Sequence, residues 1–252
     1  MNTQNQTEQK PLEILIVEDN PRFLAQAFNE YQRRMQEHGR PMHVYFATDY
    51  NQAHWELLGD PIDSHGPTKY DGVLTDVFLP VIEPGNKEEE DSRTQTAALE
   101  CSMYLRKAGI DDDLLQKLGL EKDAAYTYRT TDGRLLPCGL PIAELARSQG
   151  IPAVLVTNKG GHGGTEGIVV VRYAIKRGIY CIDNEMTERY HRNIALTGDY
   201  RDHSPEHELV AISKGKKKDW QTAFDTLLDL IDGVDIKKRF DEKWKQIQEK
   251  NK

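Results

Sequence analysis

Cysteine is scarce in this chain of 252 residues, and the three cysteines are far apart in the sequence. Cys101, Cys138 and Cys181 include no CxxC pair, so their spacing favours reduced structural thiols over a disulfide framework or a zinc site. Long apolar runs are also missing, and the first ten residues, MNTQNQTEQK, are polar. We therefore expect no membrane span and no secretory leader, and hence a cytoplasmic protein.

An excess of positive charge is absent as well. The chain has 33 basic and 41 acidic residues, and its net charge of -8 argues against a large nucleic-acid surface. The basic run KGKKKD at 214–219 is more typical of a solvated loop. Only about one charged helix follows Ile231, which is too little for a helix-turn-helix domain. We expect protein partners, and neither nucleic acid nor a membrane.

Apolar strands alternate with amphipathic helices along the chain. Runs such as ILIV at 14–17 and AVLVT at 153–157 are apolar throughout, which indicates parallel strands covered on both faces. We expect a disordered lead at 1–11, one domain at 12–235 with insertions at about 81–136 and 178–208, and a charged C-terminal helix at 236–252. Whether that helix forms a homodimer stays open.

The residues with the most distinctive chemistry follow the predicted strands. Function in such sheets gathers at the carboxyl ends of the strands, where we place Glu18, Asp19, Asp76, Thr157 and Lys214. Clustered carboxylates need a cation, and oxygen ligands suit a hard ion such as Mg²⁺. A hydroxyl and an ammonium beside them can hold phosphoryl oxygens, and a carboxylate can itself become an aspartyl-phosphate.

These residues occur in an order that resembles the receiver domain of two-component response regulators. The resemblance implies an α/β, flavodoxin-like, doubly wound parallel sheet of five strands in the order 2-1-3-4-5, here with insertions. The matching stretches cover about half of the chain but extend from Leu12 to Ile231: ILIVEDNP, VYFATDYNQAHWELL, YDGVLTDVFLP, LPIAELARSQGIPAVLVT and AISKG before an amphipathic helix.

The resemblance also implies roles for the site residues. Asp76 would accept phosphate from a histidine kinase or phosphotransfer protein, and output would pass to a downstream protein partner. Mg²⁺ would be held by Asp19, Asp76 and the backbone carbonyl of Phe78, with Glu18 acting through water. Lys214 would pair with Asp76, and Thr157 would move toward the phosphate. The implied catalysis is limited to Mg²⁺-dependent self-phosphorylation and self-dephosphorylation.

Three alternatives stay open. The lysine could be Lys159 or Lys176, because GIYCIDN at 178–184 could be the fifth strand in place of the segment that ends at Lys214. The chain could be a pseudo-receiver, a binding scaffold that is not phosphorylated. A haloacid-dehalogenase-type phosphatase is disfavoured, because those enzymes resemble DxDx(T/V), and Phe78 stands where their second aspartate would be.

Overall fold

The computed structural model describes residues 10–38, 40–59, 69–81, 87–107, 109, 112–117, 136–157, 174, 177–183, 218–236 and 238. The strands within these residues are β1 (Leu12–Val17), β2 (Met42–Ala47), β3 (Gly72–Asp76), β4 (Ala153–Thr157) and β5 (Tyr180–Asp183). The helices are α1 (Pro21–His38), α2 (Tyr50–Leu58), α3 (Lys87–Lys107), α4 (Asp112–Lys117), α5 (Gly139–Ser148) and α6 (Trp220–Ile231).

The five strands form one parallel sheet in the order β2-β1-β3-β4-β5. The predicted flavodoxin-like fold class is therefore confirmed. The chain order reverses at β1, whose two neighbours are β2 and β3, and crevices at such a switch point are common binding sites in open α/β sheets. The carboxyl ends of β1 and β3 lie at this point.

The fifth strand comes earlier in the chain than we expected. Tyr180–Asp183 is paired with β4, although it lies within 178–208, which we predicted to be an insertion. The segment AISKG, which we had favoured as the fifth strand, lies outside the described residues. Both stretches are short and apolar, so their pattern alone does not reveal which one is paired with β4.

Two apolar cores cover the two faces of the sheet. On one face, α2, α3 and α5 pack against side chains such as Leu15 and Leu155. On the other face, α1 and α6 pack against side chains such as Ile16 and Val156. The alternation of neighbouring strand residues between the two cores explains why runs such as 14–17 of β1 are apolar at successive positions.

Local signals in the sequence begin and join the helices. The side chain of Asp49 accepts a hydrogen bond from the backbone N–H of Gln52 at 2.9 Å, so it caps α2. Asp219 caps α6 in the same way through Thr222. The buried guanidinium of Arg34 contacts Asp225, which ties α1 to α6.

Helix α3 contains 21 residues and begins with a highly charged run. It begins at Lys87, so the charged run KEEED at 87–91 is its first part. Acidic residues suit the first turns of a helix, which explains how so charged a segment can be helical. None of the helices in the described part of the chain combines the length and apolar character that a membrane crossing requires.

The chain rejoins the sheet at Leu136, close to the end of β3. Leu136 and Leu79 exchange two backbone hydrogen bonds of 2.9 and 3.1 Å, and the N–H of Gly139 donates to the carbonyl of Val77 at 3.0 Å. A Cβ atom at Gly139 would lie only 1.9 Å from the Asp76 carbonyl oxygen. Only glycine therefore allows this close approach of two backbones.

We predict that Gly139→Ala destabilises the protein by more than about 3 kcal/mol, because the added methyl group meets backbone atoms that cannot move aside. Gly72→Ala is the matched control. Its Cβ would lie 2.9 Å from methyl groups of Leu227, a flexible side chain, so we expect a loss of about 1 kcal/mol. Urea unfolding of both variants measures the difference, and equal losses would contradict the close approach.

Candidate acidic and metal-binding site

Three carboxylates converge at the carboxyl end of the sheet. Glu18 and Asp19 directly follow β1, and Asp76 ends β3. The register pairs Val17 with Thr75, which brings the next residues of both strands side by side. One carboxylate oxygen from each acid lies within 4.8 Å of the others. The sequence prediction that these three residues share one site thus agrees with the geometry of the structure.

Two of the acids are buried. Glu18 has no exposed surface, and Asp76 is 7% exposed. Backbone N–H groups satisfy one oxygen of each carboxylate: Asn20 donates to Glu18 Oε1 at 3.1 Å, and Val77 donates to Asp76 Oδ1 at 2.6 Å. Buried carboxylates are costly without a compensating charge, so the site requires a cation.

Lys218 supplies a positive charge between the two buried acids. Its Nζ atom lies 2.6 Å from Asp76 Oδ2 and also contacts Glu18 Oε2. The Lys218 side chain has no exposed surface. The expectation that the run 214–219 is solvated is therefore wrong for Lys218, because its ammonium group neutralises acids from β1 and β3.

The surroundings of Glu18 shift its acidity. Burial and the neighbouring Asp76 carboxylate raise the pKa of Glu18 from 4.5 to about 7, although the Lys218 ammonium and the hydrogen bonds from Lys218 and Asn20 act in the opposite direction. Near neutral pH, the site therefore lies close to the point at which Glu18 exchanges a proton.

Of the other predicted site residues, the structure describes Thr157 and Phe78. Thr157 ends β4 and is buried, and the register places it one residue beyond Val156, the partner of Asp76. Phe78 is buried in the loop after β3, two residues beyond Asp76. Lys214 and the fallback lysines, Lys159 and Lys176, lie outside the described residues.

The loop after β3 is held at both sides. The backbone N–H groups of Tyr50 and Asn51, at the start of α2, donate to the carbonyls of Pro80 and Val81 at 3.0 and 3.1 Å. The bonds from Leu136 and Gly139 described above hold its other side. The backbone that follows Asp76 is thus hydrogen-bonded to the start of α2 on one side and to 136–139 on the other.

The donor set fits a hard divalent cation. All three clustered ligands are carboxylate oxygens, which Mg²⁺ prefers over nitrogen or sulfur ligands. Asp19 is half-buried, whereas its two neighbours are buried, so the cluster extends from the interior toward the surface. Glu18, Asp19 and Asp76 are the residues that would hold the ion.

Our sequence prediction missed two residues at this site, Lys218 and Gly139. The sequence signal that could have identified Lys218 is its position directly before Asp219, the capping residue of α6. The run contains four lysines of equal charge, and we had favoured Lys214 because a helix of the expected pattern follows it. Gly139 gave no signal, because nothing local to GLPIAEL shows which backbone it approaches.

Comparison of the chain with protein-family models, with curated proteins and with solved structures gave no significant match.

We predict that the free energy of unfolding, measured in EDTA, falls as the pH rises from about 5 to about 7.5. The folded protein holds the Glu18 proton up to a pKa of about 7, whereas the unfolded chain releases it near 4.5. Folding therefore takes up a proton in this window, and raising the pH weakens folding by up to about 3 kcal/mol.

Urea unfolding at several pH values measures this slope. Glu18→Gln cannot release a proton, so we expect it to flatten the curve between pH 5 and 7.5. Glu37→Gln is the control, because it removes one acid from the exposed surface of α1. If the free energy of unfolding falls equally steeply with pH in Glu18→Gln and in the wild type, groups other than Glu18 cause the slope.

Proposed function

We propose that this protein is a receiver-like signalling protein of the cytoplasm that accepts a phosphoryl group on Asp76. The donor would be a phosphohistidine on a histidine kinase or phosphotransfer protein, and output would pass through protein contacts. The observation that carries the proposal is the convergence of Glu18, Asp19 and Asp76 with the buried ammonium group of Lys218. The strand order and the switch-point position of this cluster support the same function.

The proposed reaction uses the Asp76 carboxylate as the nucleophile. A carboxylate oxygen of Asp76 forms a bond to phosphorus while the bond from phosphorus to the donor nitrogen breaks, and the imidazole keeps that electron pair. Lys218 already contacts Asp76 Oδ2, so its ammonium group lies where negative charge of the acyl phosphate would develop. Thr157, one residue beyond the register partner of Asp76, is our candidate for a hydroxyl contact to the phosphoryl group.

A divalent cation is part of this proposal. Glu18, Asp19, Asp76 and the backbone carbonyl of Phe78 would hold Mg²⁺, which would neutralise the charge of the transferring phosphoryl group. Glu18 would contribute through water, as the resemblance implies. The loop that contains Phe78 is hydrogen-bonded through its neighbours Val77 and Leu79, which supports a defined backbone at this position.

We predict that incubation with acetyl phosphate and Mg²⁺ adds the mass of one phosphoryl group to the intact protein. Asp76→Asn should abolish the adduct, because an amide oxygen is a poor nucleophile. Asp113→Asn, which alters an exposed acid on α4, should react like the wild type. Intact mass spectrometry makes the measurement. An adduct that survives in Asp76→Asn would refute the assignment of the acceptor.

We also predict that Mg²⁺ changes the tryptophan fluorescence of the protein. The Trp220 ring lies 5.9 Å from Lys218 Nζ, so the indole reports on charge changes at the acidic cluster. Asp19→Asn should weaken Mg²⁺ binding at least tenfold, because a charged ligand is lost from the site. Asp113→Asn should titrate like the wild type, and equal affinities for all three proteins would place the ion elsewhere.

A binding scaffold that is not phosphorylated is the second candidate. It is favoured by the enclosure of Asp76, which is 7% exposed and has one oxygen bonded to Val77 and the other paired with Lys218. Intact mass spectrometry after incubation with acetyl phosphate distinguishes the two candidate functions. A scaffold would bind Mg²⁺ or a protein partner and yet form no adduct with acetyl phosphate.

A further inference from the structure

Two aromatic rings lie beside the Lys218 ammonium group. Nζ is 5.0 Å from the centroid of the Phe23 ring and 5.9 Å from that of Trp220. Phe23 is in the first turn of α1, and Trp220 is the first residue of α6. Both distances are within the range of favourable contacts between a cation and an aromatic ring, which are strongest where water is excluded.

The position of Lys218 needs such support. A lysine side chain has a flexible four-carbon stem and a strongly hydrated ammonium group, so the ammonium group usually extends into solvent. Here the side chain has no exposed surface, and the ammonium group is shared by Glu18 and Asp76. The rings give the ammonium group a partly electrostatic contact where water would otherwise solvate it.

The Trp220 ring is not placed for hydrogen bonding through its indole N–H group. The residue is 2% exposed, and within the described part of the chain its Nε1 atom has no hydrogen-bond partner. A buried donor without an acceptor weakens folding, so the benefit of this side chain must come from the ring itself. Part of that benefit is packing against the sheet, and part is the contact with Lys218.

We propose that Phe23 and Trp220 are positioning residues that hold the Lys218 ammonium group against Asp76. For the transfer reaction, this inference rests on the proposed function. For the position of the lysine, it rests on the geometry alone. The rings keep Lys218 at the acceptor when the charge of Asp76 changes, because their attraction does not depend on that charge.

Four variants test the rings. Phe23→Leu and Trp220→Leu remove the aromatic faces, whereas Trp220→Phe keeps an aromatic face in a smaller ring and removes the unpaired N–H. Phe28→Leu is the matched control, since Phe28 is on the same helix, is 41% exposed and contacts Tyr31 and Phe46. Phe23 is only partly buried, so Phe23→Leu stays informative if Trp220→Leu fails to fold.

The first measurement is the ¹⁵N-detected NMR signal of the Lys218 ammonium group, assigned by its loss in Lys218→Met. The signal should be visible in the wild type, because a buried ammonium exchanges its protons slowly. It should disappear in Phe23→Leu and Trp220→Leu and persist in Trp220→Phe and Phe28→Leu. A signal that persists in both leucine variants would overturn the proposal.

The second measurement is the rate of adduct formation with acetyl phosphate at saturating Mg²⁺. We expect a fall of roughly tenfold in each leucine variant and wild-type rates in Trp220→Phe and Phe28→Leu. An unchanged rate with a lost ammonium signal would overturn the role in the reaction. If the wild type forms no adduct, the proposed function fails, and the ammonium signal alone decides whether the rings position Lys218.

Discussion

The arrangement of this protein depends on one buried ammonium group that two carboxylates share. Lys218 meets Glu18 across 200 positions of sequence, and it also meets Asp76. Each of these charges would be costly to bury alone, and removing one partner from such a cluster leaves the others uncompensated. The contact thus joins β1, β3 and the start of α6 at one point, and the switch point of the sheet becomes a charged site.

Backbone hydrogen bonds on both sides of the loop after β3 explain how the chain accommodates its long segment between β3 and α5. The loop after Asp76 is bonded to the start of α2 on one side and to Leu136 and Gly139 on the other. The backbone next to the acid is therefore held where the chain leaves for the segment and where it returns. Only the close approach of Gly139 to the Asp76 carbonyl makes this possible, so one glycine far along the chain stabilises the site.

Much of the fold could be predicted because its signals are local. Apolar strands predicted the parallel sheet, and acids directly after β1 and at the end of β3 predicted the cluster. The fifth strand and the lysine could not be chosen this way. Tyr180–Asp183 and the stretch before Lys214 have the same short apolar pattern, and Lys218 is one of four similar lysines. Pairing with β4 selects the fifth strand, and the charges of Glu18 and Asp76 select the lysine. Both interactions join residues that are far apart in the sequence.

The position of Lys218 also decides which part of the molecule feels the charge of Asp76. Because the lysine lies two residues before the first residue of α6, a change in its contacts with Asp76 acts on the start of α6 as well as on the end of β3. Helix α6 is in turn tied to α1 by the contact of Arg34 with Asp225, and α1 carries Phe23 beside the ammonium. If Asp76 gains a phosphoryl group, the added charge is therefore exerted on the layer formed by α1 and α6. Thr157 is on β4, so any response through its hydroxyl would follow a separate route.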